Sequence, residues 1–162
     1  MLEVTPRLRN SVKAVIIEDG RLLVTVNHGE NGRYLLLPGG GQKGGETLHQ
    51  TLHRECLEEI GAKIKIGELL YLREYIGRNH EFAPDDGGAH QIEFMFACHL
   101  LNRPSHDSAA LPDAFQIGLE WAPLDTLDGK MLYPQTLIPH LVQDAGHLPT
   151  ESGSSIYLGD VN

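Results

Sequence analysis

Cysteine is nearly absent from this chain of 162 residues: only Cys56 and Cys98 occur, with no Cys-x-x-Cys spacing. That excludes a disulfide framework and the usual structural zinc pattern, and both thiols read as small apolar core residues. Basic residues are scarce too, 13 Lys and Arg against 22 Asp and Glu, for a formal net charge of −9. An acidic surface gains nothing from the counterion release that drives binding to nucleic-acid backbones, so no nucleic-acid partner is expected. Long hydrophobic runs are missing as well. No stretch approaches membrane-spanning length, and Arg7 and Arg9 are not followed by the apolar run of a signal peptide. A soluble cytoplasmic protein with no membrane partner is therefore expected. If its ligand is phosphorylated, a divalent cation held by carboxylates is the device that offsets the charge repulsion.

What is present is ordinary globular material, 41% hydrophobic and 22% charged. The length predicts one domain over residues 1–162, with a core over about 10–146 and a Ser/Gly-rich tail over 147–162. Residues 12–17 and 21–26 flank Glu18-Asp19-Gly20 and read as a hairpin. Residues 28–33 read as a loop, and 34–37 as a short strand stopped by Pro38 and a run of glycines. A helix is predicted from about residue 46 to the terminating Gly61, and a strand over 64–77, bent at Gly67. Residues 78–90 form a long polar loop in this reading. Ile92, Phe94, Phe96 and Cys98 alternate with Glu93, Met95 and Ala97, the clearest strand signal. A strand at 116–121, a helical turn at 124–127 and a second helix at 134–146 follow; the tail is either loose or a final strand at 156–158.

The first helix carries the chemistry. With Glu55 at zero, Glu58 falls near roughly −60° and Glu59 near roughly +40°, so three carboxylates share an arc of about 100°. Like charges at such spacing repel, and a hard divalent cation reverses that cost. Leu52, Cys56, Leu57 and Ile60 supply the opposite stripe, which directs the carboxylates away from the core. An acidic helix face is more often plain solvated surface, yet the glycine loop over 38–45 precedes this one. Its backbone N–H groups and the positive end of the helix dipole suit phosphate oxygens.

Gly40, five residues, Glu46, seven residues, then Arg54-Glu55-Cys56-Leu57-Glu58-Glu59-Ile60-Gly61-Ala62 resembles the Nudix box. All seven fixed polar and glycine positions of that box match over Gly40 to Ala62, while Cys56 and Ala62 fill its aliphatic positions. The resemblance implies an α/β fold, an α/β/α sandwich around a mixed β-sheet. It also implies hydrolysis, with Mg²⁺ or Mn²⁺, of a phosphoanhydride bond in a nucleoside diphosphate linked to another moiety, such as a nucleoside triphosphate or nucleotide sugar. By the same token Glu55, Glu58 and Glu59 bind metal, one of them also acting on the attacking water. Arg54 orients the carboxylates, Glu46 pairs with Arg54, and a carbonyl near Gly39 or Gly40 completes the metal shell. A homodimer would suit the family.

A further acid from outside the box is expected, and Glu93 is the first choice, ahead of Glu120, Glu81, Asp85 and Asp86; an ordinary exposed carboxylate is the alternative for each. Gly39, Gly40, Gly41, Lys43 and Arg78 are candidate phosphate contacts, with Arg33 and Arg73 behind them. His49 and His53 read as packing residues on the core side of the helix. Gly39-x-Gly41-x-x-Gly44 matches a dinucleotide fingerprint, but the downstream acids sit on the first helix and not on a second strand, so that reading is rejected. The competing class is a catalytically silent module of the same fold that binds nucleotides; it predicts a damaged box, and this one is intact.

Overall fold

The computed structural model describes residues 7–143 and 155–162. Strand β1 (Leu8–Val15) buries Val12 and Ala14 on one face and Ser11 and Val15 on the other, as a strand covered on both sides must. The chain then passes through buried Ile16 into a second sheet, where β2 (Ile17–Glu18) and β3 (Arg21–Gly29) turn about Asp19 and Gly20, both at positive φ. The predicted hairpin is thus only two residue pairs long. Residues 12–15 pair elsewhere, because their apolar side chains serve two different cores. Likewise the predicted loop at 28–33 is a hairpin end, with Gly29 opposite Gly32 as β3 leads into β4 (Gly32–Leu36).

β5 (Gly39–Gly41) returns to pair antiparallel with β1 and feeds α1 (Leu48–Ile60). β6 (Ile64–Ile76) and β7 (His90–Leu100) form the long antiparallel pair, irregular between Ile66 and Tyr71. The polar stretch between them is not featureless: it holds a 3-10 turn, Gly77–Asn79, and the short α2 (Ala83–Asp86). β8 (Gln116–Pro123) joins β3, β9 (Leu132–Tyr133) runs parallel to β4, and a 3-10 turn leads into α3 (Ile138–Gln143). The last residues of the predicted second helix, 144–146, and the tail over 147–154 lie outside the described residues. β10 (Ile156–Asp160) then adds parallel to β6.

Two mixed sheets result, β10-β6-β7-β1-β5 and β2-β3-β4-β9 with β8 on β3. One core lies between them and takes Val15, Tyr71 and Met95 from the first sheet, Val24 and Leu35 from the second, and Leu137 and Leu141 from the α3 region. The other presses Leu52, Cys56 and Ile60 of α1 against Val12, Ala14, Phe96 and Cys98. Each such buried aliphatic side chain contributes roughly 1.5–3 kcal/mol. The arrangement is the layered α/β fold expected, with the central layer divided in two.

The buried arc of α1 is displaced from the apolar stripe. Thr51, Glu55 and Glu59 are buried along with Leu52, Cys56 and Ile60, whereas Leu57 is 42% exposed. His49 and His53 are exposed too, so their predicted core packing does not hold, although the His49 ring meets Phe96 edge-on. The glutamate side of the helix is covered because β5 lies against it, the Gly39 amide donating to Glu59 and Gly40 packing against Glu55. Two of the three acids therefore lie beneath the surface.

Candidate active site

α1 begins with a capping box: Thr47 Oγ1 accepts from the Gln50 amide (3.1 Å), and Gln50 Oε1 accepts from the Thr47 amide (2.8 Å). The glycine stretch before it is equally occupied. The Gly39 amide donates to Glu59 Oε2 (2.9 Å), and the Lys43 amide donates to Glu46 Oε2 (3.1 Å). The Gly39 carbonyl accepts from Lys13 Nζ (3.1 Å), and that of Gly41 accepts from Arg54 Nη2 (3.0 Å). Gly40 stands opposite Val12, between the backbone bonds Ala14 to Pro38 and Gln42 to Asn10, so antiparallel alternation points its polar groups at β1. The Gly39 amide is thus taken by Glu59, the Gly39 and Gly41 carbonyls by Lys13 and Arg54, and the polar groups of Gly40 by β1, so the Gly40 carbonyl does not enter the cleft as a metal ligand.

The glycines instead permit close approach. A Cβ on Gly40 would lie 2.6 Å from the Glu55 carboxyl carbon, and one on Gly41 would lie 2.3 Å from Arg9 Nη2. Gly39, at φ 138°, would drive its Cβ into the Val12 carbonyl. Only backbone fits between β1 and α1 there.

Arg54 organises the acids. Its Nε and Nη2 grip Glu46 at 2.6 and 3.0 Å, while Nη1 bridges Glu55 Oε1 at 2.7 Å and Glu58 Oε2 at 3.1 Å. The hydrogen bond from Arg54, then that from the Lys43 amide, holds the Glu46 carboxyl down at about 2, and the same pairing raises Arg54. A two-point fork of this kind fixes orientation as well as charge.

Glu59 behaves differently. It is 3% exposed, and burial pushes its carboxyl up to about 8; Lys13 and the Gly39 amide pull down and the neighbouring Asp113 charge adds to the rise. Among the described residues no three His, Cys, Asp or Glu side chains stand together as a ready metal cage. The predicted three-glutamate set with Gly40 is accordingly split: Glu58 and the largely buried Glu55 line the cleft, and Glu59 is turned in. Glu55 and Glu58 still fit a divalent cation on the chemistry of their donors: hard oxygens from adjacent turns converge on one cationic point, Arg54 Nη1.

That pair opens on a cleft of about 480 Å³ whose lining includes Arg9, Lys43, Arg54, Glu55, Glu58 and Asp113. The far wall is built by the segment after β7. Ser105, Ala110 and Leu111 donate backbone bonds to the Ile60, Leu57 and Glu58 carbonyls, and Gln116 Nε2 donates to that of Glu59 (2.7 Å). These are the carbonyls that a helix end leaves without partners, so capping α1 is what brings Asp113 to the site.

Glu93 is not part of it. It is 3% exposed on β7 and bound by Arg73 Nε (3.1 Å) and Gln91 Nε2 (3.0 Å), a buried pair satisfied within its own sheet. Arg78 is exposed on the 3-10 turn after β6 and lines neither this cleft nor the depression adjoining it. Glu120 is pinned by Lys130 (2.7 Å) and by Arg33. Sequence reading missed Arg9 and Asp113. Arg9 is identified only by the register that sets Ser11 against Gly41, and Asp113 only by the wrapping of its segment around the end of α1.

The family model of the NUDIX domain matches residues 7–141. No curated protein matches the chain in sequence. Among solved structures, a NUDIX hydrolase from Nitrosomonas europaea aligns with TM-score 0.68 at 21% identity, over 85% of this chain and 88% of its own. A MutT NUDIX hydrolase from Burkholderia pseudomallei gives 0.66 at 22% identity, over 84% and 98%. An ADP-ribose pyrophosphatase from Streptococcus suis gives 0.62 at 17% identity, over 96% and 100%. With the box residues arranged around Arg54 at the mouth of a cleft, and a family match spanning most of the sequence, this chain belongs to the Nudix hydrolase family.

Proposed function

We propose that the protein hydrolyses a phosphoanhydride bond in a nucleoside diphosphate linked to a further moiety, using Mg²⁺ or Mn²⁺ held by Glu55 and Glu58. One observation carries this reading: both carboxylates converge on a single cationic position at the mouth of an open cleft, 2.7 and 3.1 Å from Arg54 Nη1. A divalent ion bound there would neutralise phosphoryl charge and acidify the attacking water. The chain's own part is to place the charges. Glu46 fixes Arg54, Arg54 fixes the two glutamates, and Glu58, the more exposed of the pair, is the acceptor for the proton of the attacking water. Glu59 anchors β5 to α1 by accepting from the Gly39 amide. The products are a nucleotide and a phosphorylated fragment.

The test is a turnover assay with Mg²⁺ and Mn²⁺ against nucleoside triphosphates, nucleotide sugars, ADP-ribose and dinucleoside polyphosphates. Cation-dependent release of a nucleotide from at least one class is expected. Saturable nucleotide binding with no turnover anywhere would overturn the reading in favour of a silent binding module.

A further inference from the structure

A diphosphate-bearing substrate needs cations that face it, and most of those near the site are engaged. Arg54 directs its donors to Glu46, Glu55, Glu58 and the Gly41 carbonyl. Lys13 is bound to the Gly39 carbonyl, and the Gly39 and Lys43 amides serve Glu59 and Glu46. Arg9 is left. Its guanidinium packs so close to β5 that a Cβ on Gly41 would lie 2.3 Å from Nη2 and 2.5 Å from Nε. Glycine at 41 therefore seats Arg9 over the strand.

From there Arg9 borders two depressions at once. The catalytic cleft continues into a second hollow of about 620 Å³, sharing Arg9, Gln42 and Lys43 with it and reaching Arg7. Side-chain bonds tie its lining together: Asn10 Nδ2 donates to Gln42 Oε1 (3.0 Å), and Gln42 Nε2 donates to the Glu46 carbonyl (2.7 Å). Among the described residues Arg7, Arg9 and Lys43 make no ion pair. On a chain of net charge −9, three uncompensated cations along one groove form a local field attractive to anions. Among the described residues no aromatic side chain lines either depression, so none of them offers the stacking surface on which a sugar or base would rest.

We propose that Arg9, with Lys43 beside it, is the phosphate receptor of this site and selects substrates that carry a phosphate beyond the two the reaction requires. Nucleoside triphosphates and longer polyphosphates are thus preferred over diphosphates capped by a neutral sugar. This rests on the pyrophosphohydrolase reading of the same cleft, and the test separates the two.

Equilibrium binding of inorganic tripolyphosphate is measured, with Mg²⁺ present and with it chelated, for the wild type, Arg9→Ala, Arg9→Lys and Lys65→Ala. Lys65 is an exposed lysine on β6, outside the groove. Loss of a charge-assisted contact is expected to weaken affinity about tenfold or more in Arg9→Ala, less in Arg9→Lys, and not at all in Lys65→Ala. Arg9→Ala also raises KM for a nucleoside triphosphate by a larger factor than KM for a nucleotide sugar. Equal tripolyphosphate affinity in Arg9→Ala and wild type overturns the proposal, as does an equal loss in Lys65→Ala or no binding by the wild type. Triphosphate turnover unmoved by Arg9→Ala would remove the receptor and leave the catalytic reading standing. Tripolyphosphate binding lost in Arg9→Ala, with no nucleotide turned over by the wild type, would do the reverse.

Discussion

A methyl group on residue 40 would meet the Glu55 carboxyl carbon at 2.6 Å, and the carboxylate must then leave its bond to Arg54. Displacement of a catalytic group by about an ångström costs on the order of 100-fold in rate. Gly40→Ala is expected to lose activity on that scale; wild-type kcat in this variant would show that the close approach is immaterial. Glu59 offers the opposite trade. Its carboxylate is desolvated, with Gly39 and Lys13 compensating only in part, so Glu59→Gln keeps the shape and removes a buried charge. The metal-free variant is expected to melt above wild type at pH 8 while turning over more slowly with Mg²⁺. A lower melting temperature under those conditions would contradict the burial argument. Both expectations depend on neighbours far away in sequence, which is why the helical wheel placed Glu59 on an open face.

At the scale of elements, what was legible was local. The span of α1, its terminating Gly61 and the strand at β7 follow from spacing within one segment, and the Glu46–Arg54 pairing follows from the resemblance to the box. What was not legible depends on which strand lies beside which. The glycine stretch reads as an anion loop until β1 claims it as β5, and Glu93 reads as a spare acid until Arg73 appears across the β6–β7 ladder. β10 is a further case, its short sequence signal giving no hint of its partner. Asp160 at its end accepts from the Ile76 amide (2.9 Å), Asn79 Nδ2 (2.8 Å) and His80 Nε2 (2.5 Å). Partial burial pushes that carboxyl up, but the bonds from Asn79, His80 and Ile76 outweigh it and hold it at about 2. A depressed acid stabilises the fold above its unfolded pKa, about 3.9, and the contribution disappears as pH falls through the folded value. Hydrogen-exchange protection of the β10 amides is expected to fall as pH drops from about 4 to about 2. Asp160→Asn should abolish that step, and protection unchanged across the window in the wild type would count against the latch.

At the scale of the whole molecule, the acidic composition and the anionic substrate are reconciled by segregation. The carboxylates at the site are gathered by Arg54 where an ion can join them, while Arg9, Arg7 and Lys43 form no ion pair among the described residues along the adjoining groove. The two sheets provide the means, since β1 contributes Arg9 at its outer end and the buried floor beneath α1 at its centre. The most direct measurement is nucleotide turnover as a function of Mg²⁺ or Mn²⁺ concentration for wild type and Glu58→Gln, the latter losing charge at a partly exposed position with little consequence for folding. The account predicts saturable activation by the cation in the wild type and a loss of turnover by orders of magnitude in Glu58→Gln. Undiminished activity in that variant, or full wild-type activity in excess chelator, would contradict it.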